Sequence, residues 1–192
     1  MIRNLAEGRR VFTSNVFLVA GERTVLVDAG NEFDVVSAIE SQVDTLDALV
    51  MTHTHPDHVG NLDSVAEALD VDVWGFDPDQ RGIDHAIEDG ETVRLGDHEY
   101  RAMHTPGHKD DHLCFHAAGP SILFAGDLIF ANGGFGRTDL AEGNRELLVD
   151  SIDRVREAVG DDLAELHTGH GPSVTEGAAD HVELAARSAR MG

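Results

Sequence analysis

The feature that most constrains this chain is a set of short apolar runs that stop abruptly at histidine or aspartate. The run "LDALVM" (residues 46–51) leads directly into "THTHPDHVGN", which places His53, His55, Asp57 and His58 within six positions. "ILFA" ends at Asp127 after Gly126, and "LAEL" leads into "HTGHGP" with His170. Runs of four to six apolar residues bounded by glycine, proline and polar residues read as buried strands. Their ends are where polar side chains can be displayed on loops.

Between these strands the apolar spacing changes to that of helices. "FDVVSAIESQV", "HVGNLDSVAEALD" and "ADHVELAARSAR" each read as one helix, as does "NRELLVDSIDRVREAVG", with Asn144 as its cap and Gly160 as its stop. "NVFLVA" and "TVLVDAG" read as two strands joined at Gly21 and Glu22. "VDVWGF" is another strand, with Trp74 and Phe76 expected in the core. "ETVRLGDHEYRAMHTPGH" alternates like a hairpin and stops at Pro106-Gly107, and "HLCFHAAGPSILFAGDLIF" gives two strands about Gly119-Pro120. No repeat, linker or low-complexity segment interrupts the pattern. The 192 residues are read as one α/β domain, 1–192, with β-rich layers covered by helices.

Composition narrows the setting. There are 36 acidic residues against 14 Lys+Arg, a formal net charge of −22, and Lys109 is the only lysine. An acidic, lysine-poor chain fits a salt-rich cytoplasm, where charge self-repulsion is screened; an ordinary acidic protein is the alternative. No basic patch invites nucleic acid. No apolar run approaches the roughly 18 residues of a membrane span, and no secretory signal is read at the start. Cys114 has no cysteine to pair with, and it is expected to be a small core residue. A cytoplasmic location follows as an expectation.

The histidine cluster has a chemical reading. Imidazole nitrogen and carboxylate oxygen are the ligands of zinc and similar divalent ions. In an extended segment His53 and His55 share one side, since alternate residues do. Asp57 and His58 follow on a turn stiffened by Pro56, displaced enough to serve a second ion. His108 in "TPGH", Asp127 in "AGD" and His170 in "GHGP" are further ligand types at strand ends. His112 is read either as a residue that orients a ligand or as a satisfied strand histidine. His104, His116 and His167 are placed at strand ends with no chemical role.

Taken in order, "THTHPDH", "TPGH", "AGD" and "GHGP" resemble the metallo-β-lactamase superfamily, specifically its glyoxalase II-like, hydroxyacylglutathione hydrolase-like branch in a small single-domain form. The resemblance implies a four-layer αββα sandwich with a dinuclear site. His53, His55 and His108 would hold one ion; Asp57, His58 and His170 would hold the other, with Asp127 bridging. The ions would be zinc, with iron or manganese as alternatives. Asp28 in "LVDAG" matches an aspartate that supports the loop. "GRTD" is shared with the persulfide dioxygenase branch; Arg137 and Asp139 would fix a loop at the site's edge or form an ordinary ion pair. Larger glyoxalase II enzymes add a C-terminal helical domain for glutathione, whereas the stretch after "GHGP" has length for one helix.

The implied activity is hydrolysis of a small-molecule thioester, an S-acyl thiol such as S-lactoylglutathione or an analogue, by a metal-bound hydroxide that Asp57 aims. The main alternative is a persulfide dioxygenase with one iron on His53, His108 and Asp127. A lactonase, a nuclease of the same superfamily and a non-catalytic metal-binding module are further alternatives.

Overall fold

The computed structural model describes residues 1–191. The chain divides into two compact units, residues 1–87 with 93–99, and residues 88–92 with 100 onward.

The first unit carries a six-stranded mixed sheet in the order β1-β2-β3-β4-β5-β6. The strands are β1 (Ile2–Asn4), β2 (Phe17–Val19), β3 (Val25–Val27), β4 (Ala48–Val50), β5 (Val73–Gly75) and β6 (His85–Ala86). β1, β2 and β3 pair antiparallel, and β3 through β6 pair parallel. Every residue of β2, β3 and β4 is buried, which is why these segments read as continuous apolar runs rather than alternating ones. Helices α1 (Val35–Glu40), α2 (Pro56–Val59) and α3 (Leu62–Leu69) complete the unit. Its core gathers Leu18, Leu26 and Leu49 of the sheet and Met51 just past β4 with Val35, Ile39, Leu62 and Val65 of the helices.

The second sheet has the order β11-β10-β9-β8-β7, from β7 (Thr92–Leu95), β8 (His98–His104), β9 (Leu113–Ala117), β10 (Ile122–Gly126) and β11 (Glu165–Thr168). β9 and β10 are buried throughout. Helices α4 (Arg145–Val159) and α5 (Ala178–Met191) bring Leu148, Ile152, Val155 and Val159 together with Val182, Ala185, Ala186 and Ala189 in a single core. Asn144 caps α4 as its sequence suggests, its side chain accepting from the Leu147 amide at 3.1 Å, and the helix ends at Gly160 with φ +64.

Several expectations change. The helix read over "HVGNLDSVAEALD" is two helices, because at Asn61 the backbone amide turns to the Gly30 carbonyl (3.0 Å) and the side chain to the Ala29 carbonyl (3.2 Å). Strands β1 and β6 and a short 3₁₀ turn at Ala131–Gly133 carry too few apolar residues to be read in advance. Trp74 and Phe76 are half-buried rather than in the core; Trp74 packs on His85 with ring centroids 4.4 Å apart. His116 and His167 sit within β9 and β11 rather than at their ends. Cys114 is fully buried, and burial pushes its thiol up to about 12. Lys109 is buried too, beside Glu142 (2.6 Å), Asp110 (3.1 Å) and Asp111 (3.6 Å). Burial alone would lower its pKa, but the Glu142 hydrogen bond and the neighbouring aspartates raise it. Among the described residues no helix is long and apolar enough to cross a membrane.

Burial also lowers the pKa of His116, whose Nε2 has no partner among the described residues. The unfolded chain therefore takes up a proton below about pH 6.5 that the folded chain refuses, and stability falls as pH drops through that point. Thermal unfolding between about pH 7.5 and 5.5 is expected to show this loss. His116→Leu, which removes one ring whose pKa burial lowers (His167 is another), should reduce the slope; an unchanged slope would refute the assignment.

Candidate metal centre

In the first unit the potential ligands descend from one strand end. β4 stops at Val50, Thr52 and His53 follow, and α2 opens with Pro56 at its first position. His53 Nε2 and His55 Nδ1 lie 3.0 Å apart. His53 and His58 ring centroids are 4.0 Å apart, and His58 Nε2 is 4.0 Å from Asp57 Oδ2. Nitrogens bound to one tetrahedral zinc at about 2.0–2.1 Å are roughly 3.3 Å apart, so these spacings suit ligands around small cations.

Asp28 sets the protonation of this cluster. It is buried, with φ at +61, a left-handed conformation uncommon for aspartate. Its Oδ1 accepts the Thr52 amide at 2.8 Å. Its Oδ2 accepts the Thr52 hydroxyl at 2.8 Å and His58 Nδ1–H at 2.9 Å. With its proton committed to Asp28, the Thr52 hydroxyl accepts from His53 Nδ1 at 3.1 Å. A neutral imidazole has one N–H; spending it on Nδ1 leaves Nε2 of both His53 and His58 as lone pairs. That is the second-sphere pattern by which proteins hold histidine for a metal.

In the second unit the same logic recurs. The "TPGH" loop lies hard against the start of α4: a Cβ at Gly107, where φ is +128, would come within 2.2 Å of the Leu148 amide nitrogen. The Asn144 amide donates to the Gly107 carbonyl (2.8 Å) and Ser151 Oγ to the Pro106 carbonyl (2.7 Å). His108 Nδ1 donates to the Arg137 carbonyl at 2.8 Å, leaving Nε2 as the lone pair. Asp127 Oδ2 is 3.4 Å from His108 Nε2 and 3.4 Å from His170 Nε2, beyond an ordinary hydrogen bond and suited to shared ligation. Gly136 keeps the site closed, since a Cβ there would sit 2.1 Å from the Asp127 carbonyl oxygen and 2.9 Å from His108 Cβ. His108 and Asp127 are buried; His170, on the turn after β11, is 39% exposed at its side chain.

Each unit thus brings together its own share of the expected ligands: His53, His55, Asp57 and His58 in the first, His108, Asp127 and His170 in the second. The donor set, neutral imidazoles with one nitrogen committed to oxygen and carboxylates beside them, fits divalent metal. Two contributors had no side-chain signal in the sequence. Thr52 acts by linking His53 to Asp28 through its hydroxyl, and Arg137 acts through its carbonyl. The Arg137 side chain turns outward instead, forming an exposed two-pronged pair with Asp139 at 2.7 Å for each contact. Hydrogen bonding to Arg137 holds the Asp139 carboxyl down at about 2.

The sequence matches the family described as the metallo-beta-lactamase superfamily over residues 9–83 and 75–170. The chain belongs to the metallo-β-lactamase superfamily. Its fold is the metallo-β-lactamase α/β sandwich, two mixed sheets with flanking helices. It is similar to "Hydroxyacylglutathione hydrolase GloC" of Haemophilus influenzae, 30% identical over 81% of this chain and 84% of that one. It is also similar to "Hydroxyacylglutathione hydrolase" of Chromohalobacter salexigens, 34% identical over 79% of this chain; the match spans 58% of that longer relative. Among solved structures, "TTHA1623 in a di-iron-bound form" superposes with a TM-score of 0.77 at 27% identity, covering 97% of each chain.

Asp28→Asn replaces a buried double acceptor with a group that must present an N–H to at least one of its donors. The variant is expected to lose about 1–3 kcal/mol of stability, seen as a thermal midpoint lower by roughly 2–4 °C per kcal/mol. A midpoint equal to the parent's would show that the carboxylate does not set the cluster.

Proposed function

We propose that this superfamily member is a metal-dependent hydrolase of small-molecule thioesters. The chain would serve it as one domain, residues 1–192. His53, His55 and His108 would take one divalent ion and Asp57, His58 and His170 the other, with Asp127 common to both. The observation that carries this reading is the proton placement on His53, His58 and His108, which commits Nδ1 of each as the donor and makes Nε2 the lone-pair nitrogen. Two relatives named hydroxyacylglutathione hydrolase point to a thioester of S-lactoylglutathione type as substrate. Zinc and iron both suit these donors, and the related di-iron structure supports iron as strongly as chemistry supports zinc.

When bound, divalent ions supply a water acidic enough to ionise near neutral pH and a Lewis acid for the thioester carbonyl. The protein's part is to aim that chemistry. Asp57, on the first turn of α2, accepts a proton from the attacking water and directs its lone pair at the carbonyl carbon. The tied histidines keep their orientation while the carbonyl adds water and the C–S bond breaks, and the thiolate leaves. No serine or cysteine nucleophile takes part; Cys114 is buried and protonated.

The acidic composition supports a cytoplasmic role in a salt-rich cell. With a net charge of −22, screening shortens from about 10 Å at 0.1 M salt to about 3 Å at 1 M, so self-repulsion should relax.

Hydrolysis of an S-lactoyl thiol should rise in proportion to metal content, vanish with chelator and return with added ion; equal rates with and without chelator would overturn the reading. Asp57→Asn should lower kcat by roughly 10²–10⁴-fold, the range for a positioned acid–base group. Oxygen consumption with a persulfide substrate on one iron per chain would favour the dioxygenase reading instead. The thermal midpoint should climb as KCl is raised from about 0.1 to about 1 M, and a flat or falling midpoint would argue against adaptation to salt.

A further inference from the structure

His112 lies four residues beyond His108, and the chemistry above makes no use of it. Its ring is fully buried. Nε2 receives the backbone N–H of Asp127 at 3.0 Å. Nδ1 lies 2.8 Å from Thr105 Oγ1. The Thr105 amide in turn donates to the His112 carbonyl at 2.8 Å, so the two residues are clamped through backbone and side chain together.

These contacts fix the proton on the His112 ring. A backbone amide can only donate, so Nε2 must hold a lone pair. The single proton of the neutral ring therefore sits on Nδ1 and goes to Thr105 Oγ1. The threonine hydroxyl sends its own proton onward, with the His112 carbonyl and Cys114 Sγ each 3.4 Å away. The Cys114 thiol lies 3.5 Å from the Ala125 carbonyl, and burial keeps that thiol protonated. Each donor along Asp127, His112, Thr105, Cys114 and Ala125 thus has an acceptor.

The amide held by this chain needs such an acceptor. β10 and β11 pair in register as far as Phe124, then shift before Gly126, where φ is +48. The backbone leaves the ladder just ahead of Asp127, so its amide has moved off the strand's own pattern of acceptors. His112 supplies one from the side. On the far side of the same residue, the Asp127 carbonyl is closed in by Gly136. With amide and carbonyl both confined, only the two side-chain torsions of Asp127 remain to be ordered when its carboxylate is engaged, which is the preorganisation a ligand needs.

We propose that His112 is a positioning residue: held in one tautomer by the Asp127 amide and Thr105, it fixes the backbone of Asp127 so that the carboxylate is presented for metal. This rests on the reading of Asp127 as a ligand. It goes beyond that reading in assigning a role to a residue outside the proposed ligand set.

The two amides closest in shape to histidine separate a positioning role from a packing role. Glutamine can place its side-chain oxygen where Nε2 sits and still accept the Asp127 N–H. Asparagine places its amide near the Nδ1 position and cannot reach. Zinc titrations of the full chain, followed by calorimetry and by the visible spectrum of the cobalt-substituted protein, should show His112→Asn loosening metal by roughly 10–100-fold, with an altered cobalt spectrum. His112→Gln should stay within a few-fold of the parent and keep its spectrum. Should His112→Asn fail to fold, Thr105→Val takes its place; it removes the acceptor for Nδ1–H and should weaken zinc several-fold in a folded protein.

The proposal is overturned if a folded His112→Asn, or Thr105→Val, binds zinc like the parent with an unchanged cobalt spectrum. It is overturned equally if the Gln and Asn variants lose metal alike. Asp127→Ala measured alongside distinguishes the underlying reading: if its zinc affinity and stoichiometry match the parent's, Asp127 is no ligand, and the fault lies there rather than with His112.

Discussion

A neutral histidine has one proton, and where that proton goes decides what the opposite nitrogen can do. Asp28 is the residue on which the first unit's arrangement depends. From a left-handed backbone conformation it takes the Thr52 hydroxyl and His58 Nδ1–H on one oxygen and the Thr52 amide on the other. Through the threonine hydroxyl its influence reaches His53. A carboxylate, which only accepts, can dictate such a pattern without ambiguity; an amide could satisfy the same geometry only by reversing one of the donors. The second unit reaches the same result with backbone groups, the Arg137 carbonyl taking the proton of His108 and the Asp127 amide forcing the tautomer of His112.

The fold makes these placements inexpensive. Its sheets are built from strands of two to seven residues, several wholly buried and mostly apolar, so the ligand-type side chains collect where the chain leaves them. A loop that begins at a buried strand end is held at its root by the sheet and by helix starts, as Gly107 is by α4. Side chains on such loops lose little freedom on binding an ion, because their backbone has already been ordered by the core. The apolar clusters on Leu49 and Met51 and on Leu123 and Ala125 are in this sense the support of the site.

Much of this could be read from residue order. Where a run is apolar throughout, as in "NVFLVA" or "ILFA", burial on both faces leaves no other outcome, and α4 announced itself by its spacing together with Asn144 and Gly160. The family resemblance carried by "THTHPDH", "TPGH", "AGD" and "GHGP" agrees with the superfamily match. What could not be read has a common cause. The break at Asn61, the Arg137 carbonyl on His108 and the His112 tie to Asp127 are all side chain-to-backbone or backbone-to-backbone contacts, and every residue has the same backbone groups. Strand β6, two residues long and exposed, offers no apolar pattern at all. Trp74 and Phe76 read as core residues in the sequence, while the strand's alternation leaves Trp74 on the more open face.

One surface property follows from the burial of Lys109. Held beneath Glu142 and two aspartates, the lone lysine withdraws its ammonium from solvent, and the remaining side-chain cations are guanidinium groups. The exterior therefore displays no lysine amine for acetylation, ubiquitin attachment or amine-directed cross-linking, and reagents of that kind would find the folded molecule almost inert.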